Sequence, residues 1–247
     1  MSATTKPSAQ HGSSAKANAA LLAMTVIWAL NFSVAKLALG RLSPLAFNAL
    51  RFPLAAAALI FLLQRRRPLP MPAREDVKRV IWLGLLGNPL YQQFFIFGLA
   101  HSSAGSASLL LASTPLLTAI LSAALGHERV KPKVWIGVCC TLIGIAAVVL
   151  FGNKTARAGE NAALGAALLF SASISWAIYT VGSRKLVDRY GALPVTTWTL
   201  VAGTPLLVLV GLPDALRVDY TSLSLAMYGA IVYAGVLSIG IAYAIWY

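Results

Sequence analysis

The scarcest thing in this chain is negative charge. Seven residues are acidic, Glu75, Asp76, Glu128, Glu160, Asp188, Asp214 and Asp219, against twenty Lys and Arg. None of the seven falls inside the long apolar runs that fill the sequence, and no histidine does either. These absences exclude most membrane-embedded catalysis. An aspartyl protease needs two aspartates within spans and a serine hydrolase a histidine base; a metalloprotease needs His-Glu-x-x-His, which does not occur. The chain reads as a non-enzyme. Proton pumps commonly relay through Asp, Glu or His in the spans, so a facilitator or exchanger fits better than a proton antiporter. Cysteine is as scarce: Cys139 and Cys140 are adjacent inside an apolar run. Helical neighbours point about 100° apart, so neither a disulfide framework nor a metal site follows. No soluble cofactor is implied.

What is present is apolar. The composition is 58% hydrophobic and 11% charged, with a mean hydropathy of +0.76, which excludes an ordinary soluble domain of this length. A membrane-spanning helix needs about 20 apolar residues, and the sequence predicts eight in succession. They run Ala19–Leu39, Pro44–Leu63, Val80–Ala100, Ala104–Leu125, Val134–Phe151, Ala163–Val181, Pro194–Leu212 and Leu225–Tyr247. A polar tail, 1–18, precedes them. The run after it is too long for the apolar region of a cleaved signal. A net charge of +13 points to nucleic acid when basic residues line one exposed face. Here they sit in short linkers, so no nucleic-acid partner is implied. Lys6, Lys16, Arg65, Arg66, Arg67, Arg74, Lys78, Arg79, Arg129, Lys131, Lys133, Arg184, Lys185 and Arg189 fall on one side of the bilayer. Arg41, Lys154, Arg157 and Arg217 fall on the other. Basic residues collect in cytoplasmic loops, which predicts a cytoplasmic N-terminus.

The first run, AALLAMTVIWALNFSVAKLAL, has an echo beginning at Ala167, ALLFSASISWAIYTVGSRKLV. Aligned on Trp28 and Trp176, both have Trp-Ala, then Asn31 or Tyr179 three positions on, then Lys36 or Arg184 eight positions on. Pro44 and Pro194 open the next apolar runs, and Pro53 and Pro205 lie inside them. An ordered series of this kind marks an internal duplication. The unit spans five helices, an odd number, so the second copy inserts inverted, a transporter architecture with its solute site between the halves. The expected division is 19–151 for the first repeat, 152–162 for a loop and 163–247 for the second. Matching Gly84 to Gly229 ends the chain within the third helix of the second unit. The expectation is therefore an all-α polytopic membrane protein of two inverted five-helix repeats, ten helices with about eight present and the second repeat truncated.

Trp28-Ala29-x-Asn31-Phe32, Arg51-Phe52, the small-residue span with Pro115, Gly126-His127-Glu128-Arg129 and Trp135-Ile136-Gly137 with Gly144 follow in order. In these the chain resembles the drug/metabolite transporter superfamily, in its EamA-like branch. The resemblance implies an inner-membrane carrier that moves small organic solutes, often by efflux of amino acids, related metabolites or drugs. Its partners would be the solute and the lipid bilayer, and it allows a homodimer. The alternative is a truncated non-transporting paralogue or accessory membrane subunit.

Polar groups inside a bilayer usually face the bundle interior or a water-filled cavity. Trp28 with Asn31, Asn48 with Arg51, and Asn88 with Gln92 are three or four apart, spacings that put each pair on one helix face. Tyr91 lies beside the last pair. Arg51 is seven residues beyond Pro44, about 10 Å deep at 1.5 Å per residue, and no acidic residue shares its membrane depth. Two readings are open for it: a solute anion as partner, or a guanidinium snorkelling to the interface or bonded to helix-end carbonyls. The expected pocket residues are Trp28, Asn31, Arg51, Asn88, Tyr91, Gln92, Trp176 and Tyr179. Their alternative role is packing or hydrogen bonding between helices. Lys36 reads as an anchor, and Ala104, Ser108 and Ala112 as a ridge for close helix packing.

Overall fold

The computed structural model describes residues 10–66, 71–126, 135–137, 140, 143–144, 147 and 161–246. Among them are seven helices long and apolar enough to cross a membrane. We number these α1 (Gln10–Ala38), α2 (Pro44–Arg66), α3 (Arg74–Ala100), α4 (Ala104–Ala124), α5 (Ala162–Tyr190), α6 (Ala192–Leu216) and α7 (Leu225–Ile245). The protein is thus a helical multi-pass membrane protein, as its composition requires. Most of the expected fifth span, Val134–Phe151, lies outside the described residues, as do Cys139 and the His127-Glu128-Arg129 turn. Several helices overrun their apolar windows, α3 beginning at Arg74 rather than Val80 and α5 ending at Tyr190 rather than Val181. The reason is that helical hydrogen bonding continues into polar turns beyond the hydrocarbon, where hydropathy has already fallen.

Prolines shape the helices in three ways. Pro89 lies in a π turn, Leu86–Leu90, inside α3. Proline has no N–H to give the α-ladder, and a wider turn accommodates the gap. A second π segment, Tyr233–Ile241, interrupts α7. α4 breaks at Ala112 and Ser113, and Pro115 sits in the first turn of its second half, where a missing N–H costs nothing. Pro53 and Pro205, by contrast, lie inside unbroken α2 and α6.

α2 and α6 cross at the centre of the bundle. α3 packs on α6 and α7 on α2, while α5 packs on α3 and α1 on α7. This pattern is unchanged when α1, α2 and α3 are exchanged with α5, α6 and α7. Glycine permits the central crossings. A Cβ on Gly84 would lie 2.7 Å from the Thr199 carbonyl oxygen, and one on Gly235 would lie 2.5 Å from that of Arg51. Gly235, with its π segment, therefore corresponds to Gly84, which is followed by the other π turn. The match of Gly84 to Gly229 is corrected, since a Cβ on Gly229 meets nothing within 4 Å. Glycine spacing in apolar sequence cannot distinguish a crossing point from a lipid-facing position.

α4 packs along α5, so the most apolar stretch of α5 is 44% buried while that of α1 is 17% buried. Within α4 the packed stripe is Ala107, Leu110 and Ser113. Ala104, Ser108 and Ala112 face outward or lie half-covered, so small size alone did not identify the contact face. Lys36 does anchor α1: its Nζ donates to the carbonyls of Leu99 (2.9 Å) and Ala100 (2.8 Å). These carbonyls belong to the last turn of α3, where a cation is favoured.

Candidate solute-binding site

Arg51 does not snorkel. Its side chain is 1% exposed, held at the middle of the bundle where α2 meets α3 and α7. Nη2 donates to Oδ1 of Asn48 (2.9 Å) and Oε1 of Gln92 (2.8 Å), and Nε donates to the same Asn48 oxygen at 3.1 Å. The spacing of three on α2 brings Asn48 beneath the guanidinium, and Gln92 arrives from α3, two residues beyond the π segment. The guanidinium carbon lies 4.6 Å from the centre of the Phe47 ring, with Phe52 and Phe95 at 5.6 and 5.9 Å. Ring faces attract a cation and exclude water from it. Every hydrogen-bond acceptor is neutral. The ion pairs of Arg189 lie near the start of α3, far from Arg51 along the helices. Burying an ion without a counter-charge costs several kcal/mol, which amide oxygens and rings offset in part.

Beside Arg51 lies a chain of aromatic rings. Tyr91 stacks on Phe95 at 6.1 Å and contacts Trp176 at 4.9 Å. Trp176 also meets Tyr179 at 5.1 Å and Tyr243 at 5.9 Å. Tyr243 in turn meets Trp28 edge-on at 6.1 Å. The two tryptophans that aligned the sequence repeat thus converge on one tyrosine. Trp28 Nε1 donates to the Ser238 carbonyl (2.9 Å) within the π segment of α7, where widening frees backbone acceptors.

The structure brings Arg51, Tyr91, Gln92, Trp28 and Trp176 together around this centre, and it turns others elsewhere. Asn88 Nδ2 donates to the carbonyls of Gly84 (3.2 Å) and Thr199 (3.0 Å), fastening α3 to α6. Tyr179 is buried against Gly87, its hydroxyl 3.0 Å from Oγ1 of Thr199. Both tie helices together. Asn31 is 9% exposed, and its Oδ1 has no hydrogen-bond partner among the described residues. Sequence reasoning missed Tyr243, Thr199 and Phe95. Phe95 and Tyr243 lie in the aromatic runs of α3 and α7, a signal too common in membrane helices to single them out. Thr199 is one of several threonines in α6.

A bundle of apolar helices with a buried cation and aromatic groups at its crossing defines a polytopic membrane protein with a polar centre. The chain belongs to the EamA-like transporter family, whose family model matches residues 15–150 and 163–247. It is 31% identical over 231 residues to an uncharacterized transporter of Archaeoglobus fulgidus, covering 92% of this chain and 78% of that one. It is 27% identical over 227 residues to the uncharacterized transporter YyaM of Bacillus subtilis, covering 92% and 74%. A probable terminal-alkyne amino-acid exporter of Streptantibioticus cattleyicolor is 27% identical over 235 residues, 94% of this chain and 75% of that protein. A solved crystal structure superposes with a TM-score of 0.66 at 23% identity, over 94% of this chain and 78% of the other. At that identity the likeness is one of fold.

Proposed function

We propose that this protein is a bacterial inner-membrane carrier for small, carboxylate-bearing, amino-acid-like solutes. It works by alternating access, with the N-terminus cytoplasmic and efflux as the direction of use. Arg51 takes the carboxylate, and Tyr91, Trp28 and Trp176 form the wall beside it. The carrying observation is a fully buried guanidinium whose partners are all neutral amide oxygens. A solute carboxylate would supply the missing charge through the charge-assisted bond that guanidinium geometry favours. The terminal-alkyne amino-acid exporter, whose name specifies an amino-acid solute, supports this class. The excess of basic loop residues on one side supports the orientation.

The test is counterflow in proteoliposomes loaded with neutral amino acids or with the amines made by removing their carboxylates. The expected result is exchange of the amino acids, lost in Arg51→Ala far more than any exchange of amines. Equal loss of both would make Arg51 structural and overturn the reading.

A further inference from the structure

One end of the bundle, where α3 begins and α5 stops, is tied shut. Arg189 Nη1 bridges Glu75 at 2.6 Å and Asp76 at 2.9 Å. The Tyr190 hydroxyl donates to Asp76 (2.7 Å) and accepts from the Ala73 amide (3.2 Å). Arg79 donates to the Gly182 carbonyl at 2.7 Å. Ala73, Glu75, Asp76, Arg189 and Tyr190 thus form one latch between the α3 and α5 ends, and the Arg79–Gly182 bond is a second tie between the same helices. Its ion pair is half-exposed, and exposed ion pairs are individually weak, which suits a contact that must open.

The opposite end carries the same pieces unassembled. Arg189 is thirteen positions after Trp176, and Arg41 is thirteen positions after Trp28. Exchange of the two sets of helices therefore places Arg41, in the turn after α1, where Arg189 stands in the last turn of α5. Arg41 lines a cleft of about 620 Å³ together with Asp214, Arg217, Asp219 and the first turn of α7 at Met227. Among the described residues it makes no ion pair. Asp214 is occupied by the Ser43 hydroxyl at 2.5 Å. Asp219 faces the same cleft from the turn before α7, accepting from the amide and hydroxyl of Thr221. Those bonds hold its carboxyl below the usual carboxylate range, so it stays charged.

We propose that Arg41 and Asp219 are the counterpart latch, and that the two latches close in alternation. The structure is then the state with the Arg189 end shut and the Arg41 end open. The proposal rests on the alternating-access reading, and it adds which side chains hold each end. The acid partner shifts from the first turn of α3 to the loop before α7, so the charge is shared by the halves while its position in sequence is not.

Spin-label distances in the full chain, with Cys139 and Cys140 replaced by Ser, test it in liposomes. Labels at Leu37→Cys and Leu225→Cys report the Arg41 end, and labels at Val77→Cys and Lys185→Cys the Arg189 end. Arg189→Ala is expected to lengthen the second distance and shorten the first. Adding Arg41→Ala should abolish that shortening, and the exchange Arg41→Asp with Asp219→Arg should restore it. If Arg189→Ala separates its own end and the far end closes equally with or without Arg41, the latch is overturned and alternating access stands. Loss of the shortening in Asp214→Ala but not in Asp219→Ala also overturns the named pair. If neither distance moves in any variant, alternating access itself fails, and the latch with it.

Discussion

α2 and α6 occupy equivalent places in the bundle and differ in chemistry at the same point. On α2 the carbonyl of Arg51 meets Gly235 of α7; on α6 the carbonyl of Thr199 meets Gly84 of α3. Backbone and glycine are alike in the two crossings. The side chain is a buried guanidinium in one and a hydroxyl, bonded to Tyr179, in the other. The two sets of three helices share one packing scaffold, and the charge lies on one of them only. The lesson is that crossing geometry and polar content are separable: glycine sets how close the helices come, and the residue across from it sets what the centre attracts.

Breaking the shared part of this comparison should have the largest effect. Gly84→Val or Gly235→Val places carbons against backbone that cannot move aside, so each variant should fail to give a monodisperse, folded protein. Overpacking typically costs about 1–3 kcal/mol and more against rigid backbone. Gly229→Val, in open space, should leave yield and thermal midpoint unchanged. Breaking the unshared part comes next. Arg51→Ala should lower affinity for carboxylate solutes by about 10- to 100-fold, the equivalent of about 1.5–3 kcal/mol for a hydrogen bond to a charged group. Equilibrium binding of labelled amino acids measures this, and Arg51→Lys should recover part of it. Thr199→Val removes the hydroxyl that bonds Tyr179 and donates to the Thr196 carbonyl within its own helix. The expected loss is about 1 kcal/mol of stability, read as a lower thermal midpoint with solute affinity within a few-fold of the original. Smallest is Lys36→Met, which leaves the end of α3 without its cation at a cost of about 0.3–1 kcal/mol. Faster amide exchange at Leu99 and Ala100, with flux little changed, would report it.

The spans were legible because bilayer thickness and helix rise together fix the length of an apolar run. The correspondence of the two helix triples was legible where side chains are distinctive, at Trp28 and Trp176, which meet on Tyr243. It was misread in the third helix, where Gly84 had several apolar partners to choose from and only the close approach of Gly235 to α2 decides. At the centre, sequence marked Arg51 as deep and without an acid. It left open whether the guanidinium turned outward, since Gln92 lies 41 residues away and no local pattern joins them. Asn88 carried the same signal as Gln92, and only the fold shows one bonded to α6 and the other to Arg51.

Under the proposed alternating-access reading, the buried guanidinium would make the cycle sensitive to voltage. An elementary charge crossing the full transmembrane potential changes energy by about 2.3 kcal/mol per 100 mV, and a charge held mid-membrane feels whatever part of that field it crosses. A neutral amino acid brings its ammonium together with its carboxylate, so under the proposed reading the loaded centre keeps the single positive charge of the empty one, whereas a guest with a carboxylate alone cancels it. Membrane potential then acts on both steps of the cycle when the guest is a zwitterion, and on the empty return step alone when it is a simple carboxylate.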